Sequence, residues 1–112
     1  MNFTVIKNRL LNWYYRTFKN PYKVVVGGYC PRQAEGRIAK DGKIHHYYFR
    51  ARGSQWYLKV SPGWWDGFNF DLEVFHFGDR NYCEWPEAGY LPERECIVLA
   101  TKALNEFIKK KN

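Results

Sequence analysis

Apolar residues recur at helical spacing near the start of the chain, at Phe3, Ile6, Leu10, Tyr14 and Phe18, with Lys7, Arg9, Asn12 and Arg16 between them. A period near 3.6 predicts an amphipathic helix. Asn20-Pro21 ends it, because the residue before a proline is pushed out of helical geometry. Tyr22 to Val26 is a β-branched run that predicts a short strand, closed by Gly27-Gly28.

In the middle of the chain, Lys40-Asp41-Gly42-Lys43 is a hairpin signal, since Asp-Gly supplies the two positive φ values of a type I′ turn. With Asp41 and Gly42 as the loop, Ile38 faces His45, Gly36 faces Tyr47 and Ala34 faces Phe49. A second turn at Gly53-Ser54 pairs the segment from Ile44 to Arg52 with that from Gln55 to Ser61, setting Ala51 against Trp56, Phe49 against Leu58 and Tyr47 against Val60. Both hairpins bury the same face, and a slip of one residue in either would turn Trp56 and Leu58 to the wrong side. The opposite face then carries Gln33, Glu35 and Arg37, then His46, Tyr48, Arg50 and Arg52, then Gln55, Tyr57 and Lys59.

Trp64 and Trp65 fall in a loop bounded by turn residues. Phe70 to Phe77 resumes a strand pattern, read with Leu72 and Val74 inward. A final helix opens at Pro92, with Glu93 and Glu95 in its first turn and an apolar stripe from Cys96 through Ile97, Ala100, Ala103, Leu104 and Phe107 to Ile108. The expected fold is α+β: an antiparallel meander of four to five strands flanked by an N-terminal and a C-terminal helix, in a single domain over 1–112.

Composition narrows the class. At 112 residues, with 46% hydrophobic and 20% aromatic residues, the chain can fill one core with rings and is unlike a disordered segment. Eighteen basic against eleven acidic residues leave a net charge of +7, which biases partners towards phosphates, acidic proteins or anionic membranes. Lys109, Lys110 and Lys111 at a helix C-terminus account for part of it by complementing the helix dipole. Three cysteines, an odd number without a C-x-x-C pair, fit a reducing cytoplasm better than a disulfide framework. Neither a signal peptide nor a spanning segment is read in the N-terminal stretch, which carries Lys7 and Arg9, so no membrane partner is expected.

For chemistry, the outward face offers Tyr48 and Tyr57 as stacking planes and Arg37, Arg50, Arg52 and Lys59 as phosphate donors, the pairing used by proteins that hold nucleotides or single strands on a sheet. The competing reading is a solvated or helix-covered face whose Arg and Tyr merely stabilise the sheet. Trp64-Trp65 reads either as a clamp over a ligand or as a plug at the end of the core. His45, His46, His76 and the cysteines lack metal-ligand spacing, so no metal and no cofactor are expected, and His45 reads as a hydrogen-bonded core histidine. No G-x-S-x-G, Walker A, H-E-x-x-H or dinucleotide-binding fingerprint occurs. A metal-independent ribonuclease would use His46 as base with Tyr48, Arg50 and Lys59 around the phosphorane.

The run Tyr47-Tyr48-Phe49-Arg50-Ala51-Arg52-Gly53-Ser54-Gln55-Trp56, preceded by Gln33-Ala34-Glu35-Gly36 and followed by Ala88-Gly89-Tyr90, resembles small uncharacterised proteins encoded in phages and prophages. The resemblance leaves out the first helix, which is free for a separate role such as self-association. It transfers no catalytic residue and implies a setting: anti-defence, by sequestering a nucleotide signal or by blocking an effector complex. The leading expectation is a non-enzymatic cytoplasmic protein that binds a nucleotide-containing ligand through Arg37, His46, Tyr48, Arg50, Arg52, Tyr57 and Lys59, with Trp64 and Trp65 closing over it. The alternatives are an anti-CRISPR-like inhibitor of a host defence protein and the ribonuclease toxin; nucleic acid and a second copy of the chain complete the expected partners.

Overall fold

The computed structural model describes residues 2–28, 30–63 and 67–111. Asp41 and Gly42 take φ values of 53° and 74°, the two left-handed residues a type I′ turn requires. That turn joins β1 (Arg32–Lys40) to β2 (Lys43–Arg52), and the register is the one the turn dictates: Ala34 opposite Phe49, Gly36 opposite Tyr47, Ile38 opposite His45. A Cβ on Gly36 would lie 2.5 Å from the Tyr47 hydroxyl, so the ring occupies the space that a side chain there would need. The second hairpin pairs β2 with β3 (Gln55–Pro62), again with Ala51 on Trp56, Phe49 on Leu58 and Tyr47 on Val60. β4 (Phe75–Asp79) completes an antiparallel meander in the order β1-β2-β3-β4.

Between the strands and the C-terminus, residues 79–91 wrap the β2–β3 turn, with the Tyr82 amide donating to the Ser54 carbonyl and the Ala88 amide to that of Gly53. The helix α2 (Glu93–Lys109) then crosses the inner face of the sheet and buries Cys96, Leu99, Ala100, Ala103, Leu104 and Phe107 against Phe49, Trp56, Leu58 and Val60. The strand and helix periods thus meet on one core, and the α+β meander with a helix at each end is the architecture.

Three segments depart from the sequence reading. Tyr22 to Val26 forms no strand; Gly27 alone pairs, with Gln33. The Asn20 side chain bonds both the amide and the carbonyl of Val24, which drives that one side chain into the core while Val25 stays exposed. Phe70–Leu72 is a 3₁₀ turn, and the parity of the following strand is reversed: Phe75 and Phe77 point inward, while Leu72 and Val74 are exposed. The register explains it, since Phe77 and Phe75 lie opposite the inward Leu58 and Val60, where large apolar pairs stabilise the sheet. Pro92 is the N-cap of α2, one place before its first turn.

The first helix, α1 (Phe3–Phe18), is capped by the Asn2 carboxamide accepting from the Val5 amide, and buries no residue. Its polar side meets the start of α2: Arg16 pairs with Glu93 at 2.6 Å and 2.7 Å, and Asn12 accepts from the Arg94 backbone and guanidinium. Among the described residues no helix is long and apolar enough to cross a membrane.

Candidate functional site

The outer face of the sheet is only half open. Beyond β3 the chain turns back over it: Gly63 donates to the Ile44 carbonyl, and the Asn69 amide donates to the buried Ser61 hydroxyl. Phe68 and Phe70, packed edge to face at 4.8 Å, come to rest on Tyr48 at 6.0 Å and 5.6 Å. Tyr48 is left 9% exposed and donates its hydroxyl to Gln33 Oε1 at 2.9 Å. Burial lifts its phenol above the ordinary value, and the charge of Arg50 offsets this only in part. His46, 5% exposed, lies under the same cover against Gly63. Neither residue presents a plane or a proton to solvent, as the sheet-face reading and the ribonuclease reading would each have them do. The signal that could have warned of this is Gly67-Phe68-Asn69-Phe70, two rings spaced by turn residues, which suit a flap over an aromatic face better than a strand.

Of the other cations and rings expected on this face, Tyr57, Lys59, Arg52 and Arg37 divide among three hollows, and Arg50 lines none of them. The first, of about 570 Å³, lies across β3 and β4 and is lined by Gln55, Tyr57, Lys59, His76, Gly78, Asp79 and Arg80, with Trp56 behind. Tyr57 and His76 meet edge to face at 5.7 Å. Lys59 stands 5.0 Å over the Tyr57 ring and 3.3 Å from Glu73, so part of its charge is already answered. Asp79 is occupied as a turn cap for the Asn81 amide. A Cβ on Gly78 would meet the Trp56 carbonyl at 2.3 Å, so only glycine can form this floor. Arg50 sits in register between Gln33 and Tyr57, half-buried, with its Nε shielded and without a partner among the described residues.

The second hollow, about 580 Å³, adjoins the first at Gln55 and holds Arg52 with Cys30, Gly53, Ser54, Trp85, Pro86 and Tyr90. Trp85 is 77% exposed and Tyr90 58%. The third, at the far end of the sheet, holds Arg37 with Lys43, Ile44, His45, Pro62 and Gly63. Arg37 is therefore separated from the other cations expected of the site. His45 packs edge-on to Phe107 at 5.0 Å with Nδ1 buried and unpaired among the described residues, so its fixed contact is with a ring and not the hydrogen bond expected. Trp64 and Trp65 lie outside the described residues.

Sequence reasoning weighed His76 only as a metal ligand and missed Arg80, Trp85 and Tyr90. His76 was hidden by the reversed parity of β4, and the others sit in the irregular stretch after it, where no period operates. No group of three or more His, Cys, Asp or Glu able to hold a metal occurs among the described residues. Cys96 is buried within α2, and its thiol is pushed up to about 12 by that burial, so it carries no nucleophile at neutral pH.

The chain matches no family model, no curated protein and no solved structure.

Proposed function

We propose that this is a binding protein and not an enzyme, and that it takes a nucleotide-type anion in the hollow across β3 and β4. The observation that carries the reading is the Tyr57–His76 ring pair with Lys59 and Arg80 around it. Rings and cations at one concave place suit a ligand with a base and a phosphate. The volume falls within the range typical of small-ligand sites. Arg50 and Arg52, on the neighbouring strand, extend the positive field towards the second hollow. In the phage-encoded setting that the sequence resemblance implies, such a ligand would be a host defence signal withdrawn from its receptor.

Calorimetric titration with cyclic dinucleotides, ADP-ribose derivatives and short oligonucleotides at low salt tests this. Binding by one class, weakened at least tenfold in Tyr57→Ala and in Arg80→Ala, is the expected result. No binding by any of them removes the proposal.

A second reading, inhibition of a host protein by direct contact, is favoured by the second hollow. Trp85, Tyr90 and Arg52 are the residue types that dominate protein interfaces, and both rings stand largely exposed. Capture of one stoichiometric host protein that is lost in Trp85→Ala, with no small-molecule binding, would move the conclusion to this reading.

A further inference from the structure

Helix α1 is docked the wrong way round for a soluble helix. Counting 100° per residue, Phe3, Ile6, Leu10, Trp13, Tyr14 and Phe18 fall on one arc of about 140°. The other side carries Asn12 and Arg16, tied to Arg94 and Glu93 of α2, with Leu11 and Tyr15 half-buried beside them. The apolar arc consequently faces away from the body, with Phe3 79%, Leu10 61%, Phe18 63% and Trp13 52% exposed. A shallow hollow along this ridge is lined by Phe3, Ile6, Leu10, Leu11, Trp13 and Tyr14 together with Lys7. The molecule measures 48 × 29 × 24 Å. A ridge of this kind, about 24 Å long in a 16-residue helix, is a surface for something outside the chain.

The charges decide what. Residues 1–34 hold six basic side chains and no acidic one, and five of the six, Lys7, Arg9, Arg16, Lys19 and Lys23, lie in or just after this helix, while Arg32 opens β1. Arg16 is answered by Glu93; Lys7, Arg9, Lys19 and Lys23 have no carboxylate partner among the described residues. A second copy laid ridge to ridge would bring two such positive helices together with no acid on either. Lys7, which falls inside the apolar arc, would then be trapped in the seam. At a lipid surface the same lysine extends its stem along the apolar face and reaches the phosphate level with its ammonium. A face of rings on a helix whose only charged residues are cations is the composition of a helix that lies in the headgroup region of an anionic bilayer.

We infer that α1 is an interfacial anchor for anionic lipid, inserted by its Phe3-to-Phe18 ridge and drawn down by Lys7, Arg9, Lys19 and Lys23. This reverses the expectation of no membrane partner, which was argued from targeting and spanning segments alone; lying in an interface requires only an amphipathic helix. It is independent of the nucleotide proposal, since α1 touches neither hollow of the sheet.

The test is co-sedimentation of the full chain with vesicles of phosphatidylcholine alone and of phosphatidylcholine mixed with phosphatidylglycerol. The expected result is binding to the mixed vesicles only, weakening as salt rises. Lys7→Gln and Arg9→Gln should each lower the affinity about fivefold, the worth of one cation near such a surface. Leu10→Glu should abolish it while leaving the melting curve in place, because Leu10 is exposed in the free protein. Failure to sediment with the mixed vesicles would overturn the inference, as would equal binding to neutral ones. A wild-type mass that doubles with concentration and falls back in Leu10→Glu, without lipid binding, would assign the ridge to a second copy instead.

Discussion

Helices α1 and α2 are nearly the same length, 16 and 17 residues, and each has a clear apolar stripe, yet one buries seven residues and the other none. α2 lies with its stripe on the sheet, where Leu104 and Cys96 are fully enclosed. α1 turns its stripe outward and holds on through Arg16 and Asn12. Amphipathicity therefore records that a helix has a face to cover, and leaves open what covers it. Burial can be supplied by the chain itself or from outside it, and the two cases differ in what a substitution does to stability.

The largest effect should come from truncating the same residue type in the two helices. Leu104→Ala leaves a cavity in the core and should cost about 2–5 kcal/mol. Leu10→Ala, at 61% exposure, should stay within about 0.5 kcal/mol. Urea denaturation of both variants measures the contrast. A loss of more than 2 kcal/mol in Leu10→Ala would mean that α1 is packed in solution, and the comparison would collapse.

A second, smaller difference is a dependence on alkali that α2 brings to the fold. The Cys96 thiol is raised by burial from 9.0 to about 12 in the folded protein, so on raising the pH the unfolded chain loses this proton first. Below pH 9 both states hold the proton and the difference is silent; from there towards 12 stability falls. The Tyr47 phenol, raised by burial as well, acts in the same direction. Wild type should therefore lose melting temperature between pH 9 and 11 more steeply than Cys96→Ala, whatever offset the substitution adds at neutral pH. Parallel slopes would show that the thiol is not held as α2 places it.

The same contrast explains how much of the molecule was legible in its sequence. The two hairpins could be read to the residue, because Asp41-Gly42 and Gly53-Ser54 fix register by turn geometry and the inward Phe49, Trp56 and Leu58 confirm it by period. Here local and global preferences agree, and agreement is what makes a pattern readable. β4 was misread because Leu72, Val74, Phe75 and Phe77 offer an apolar residue at either parity; only the partner strand breaks the tie. The candidate site was read less well still. Tyr48 and Tyr57 are equivalent in the sequence, two residues on one outward face, and what separates them is a flap of Phe68 and Phe70 that settles on one and misses the other. That is a contact between distant segments, to which no window of the sequence is sensitive. His76 and Arg80 joined the site only once the parity of β4 and its pairing with β3 were known.

The smallest effect bears most directly on how α1 is held. Arg16 and Glu93 form a two-pronged ion pair, which raises the basicity of the arginine by hydrogen bonding and by charge. Arg16 is nevertheless 54% exposed, so water and salt screen much of that attraction. A double-mutant cycle on Arg16→Ala and Glu93→Ala should give a coupling of about 0.2–1 kcal/mol, shrinking as salt is added. The readout must be local: amide exchange within residues 3–18 should quicken in either variant while exchange in α2 and β3 stays at its original rate, because global opening of the core does not depend on the pair. Were the α2 amides to quicken in step with those of α1, the two helices would open as one unit. The first helix would then be part of the fold's own stability and not an appendage with its apolar side offered outward.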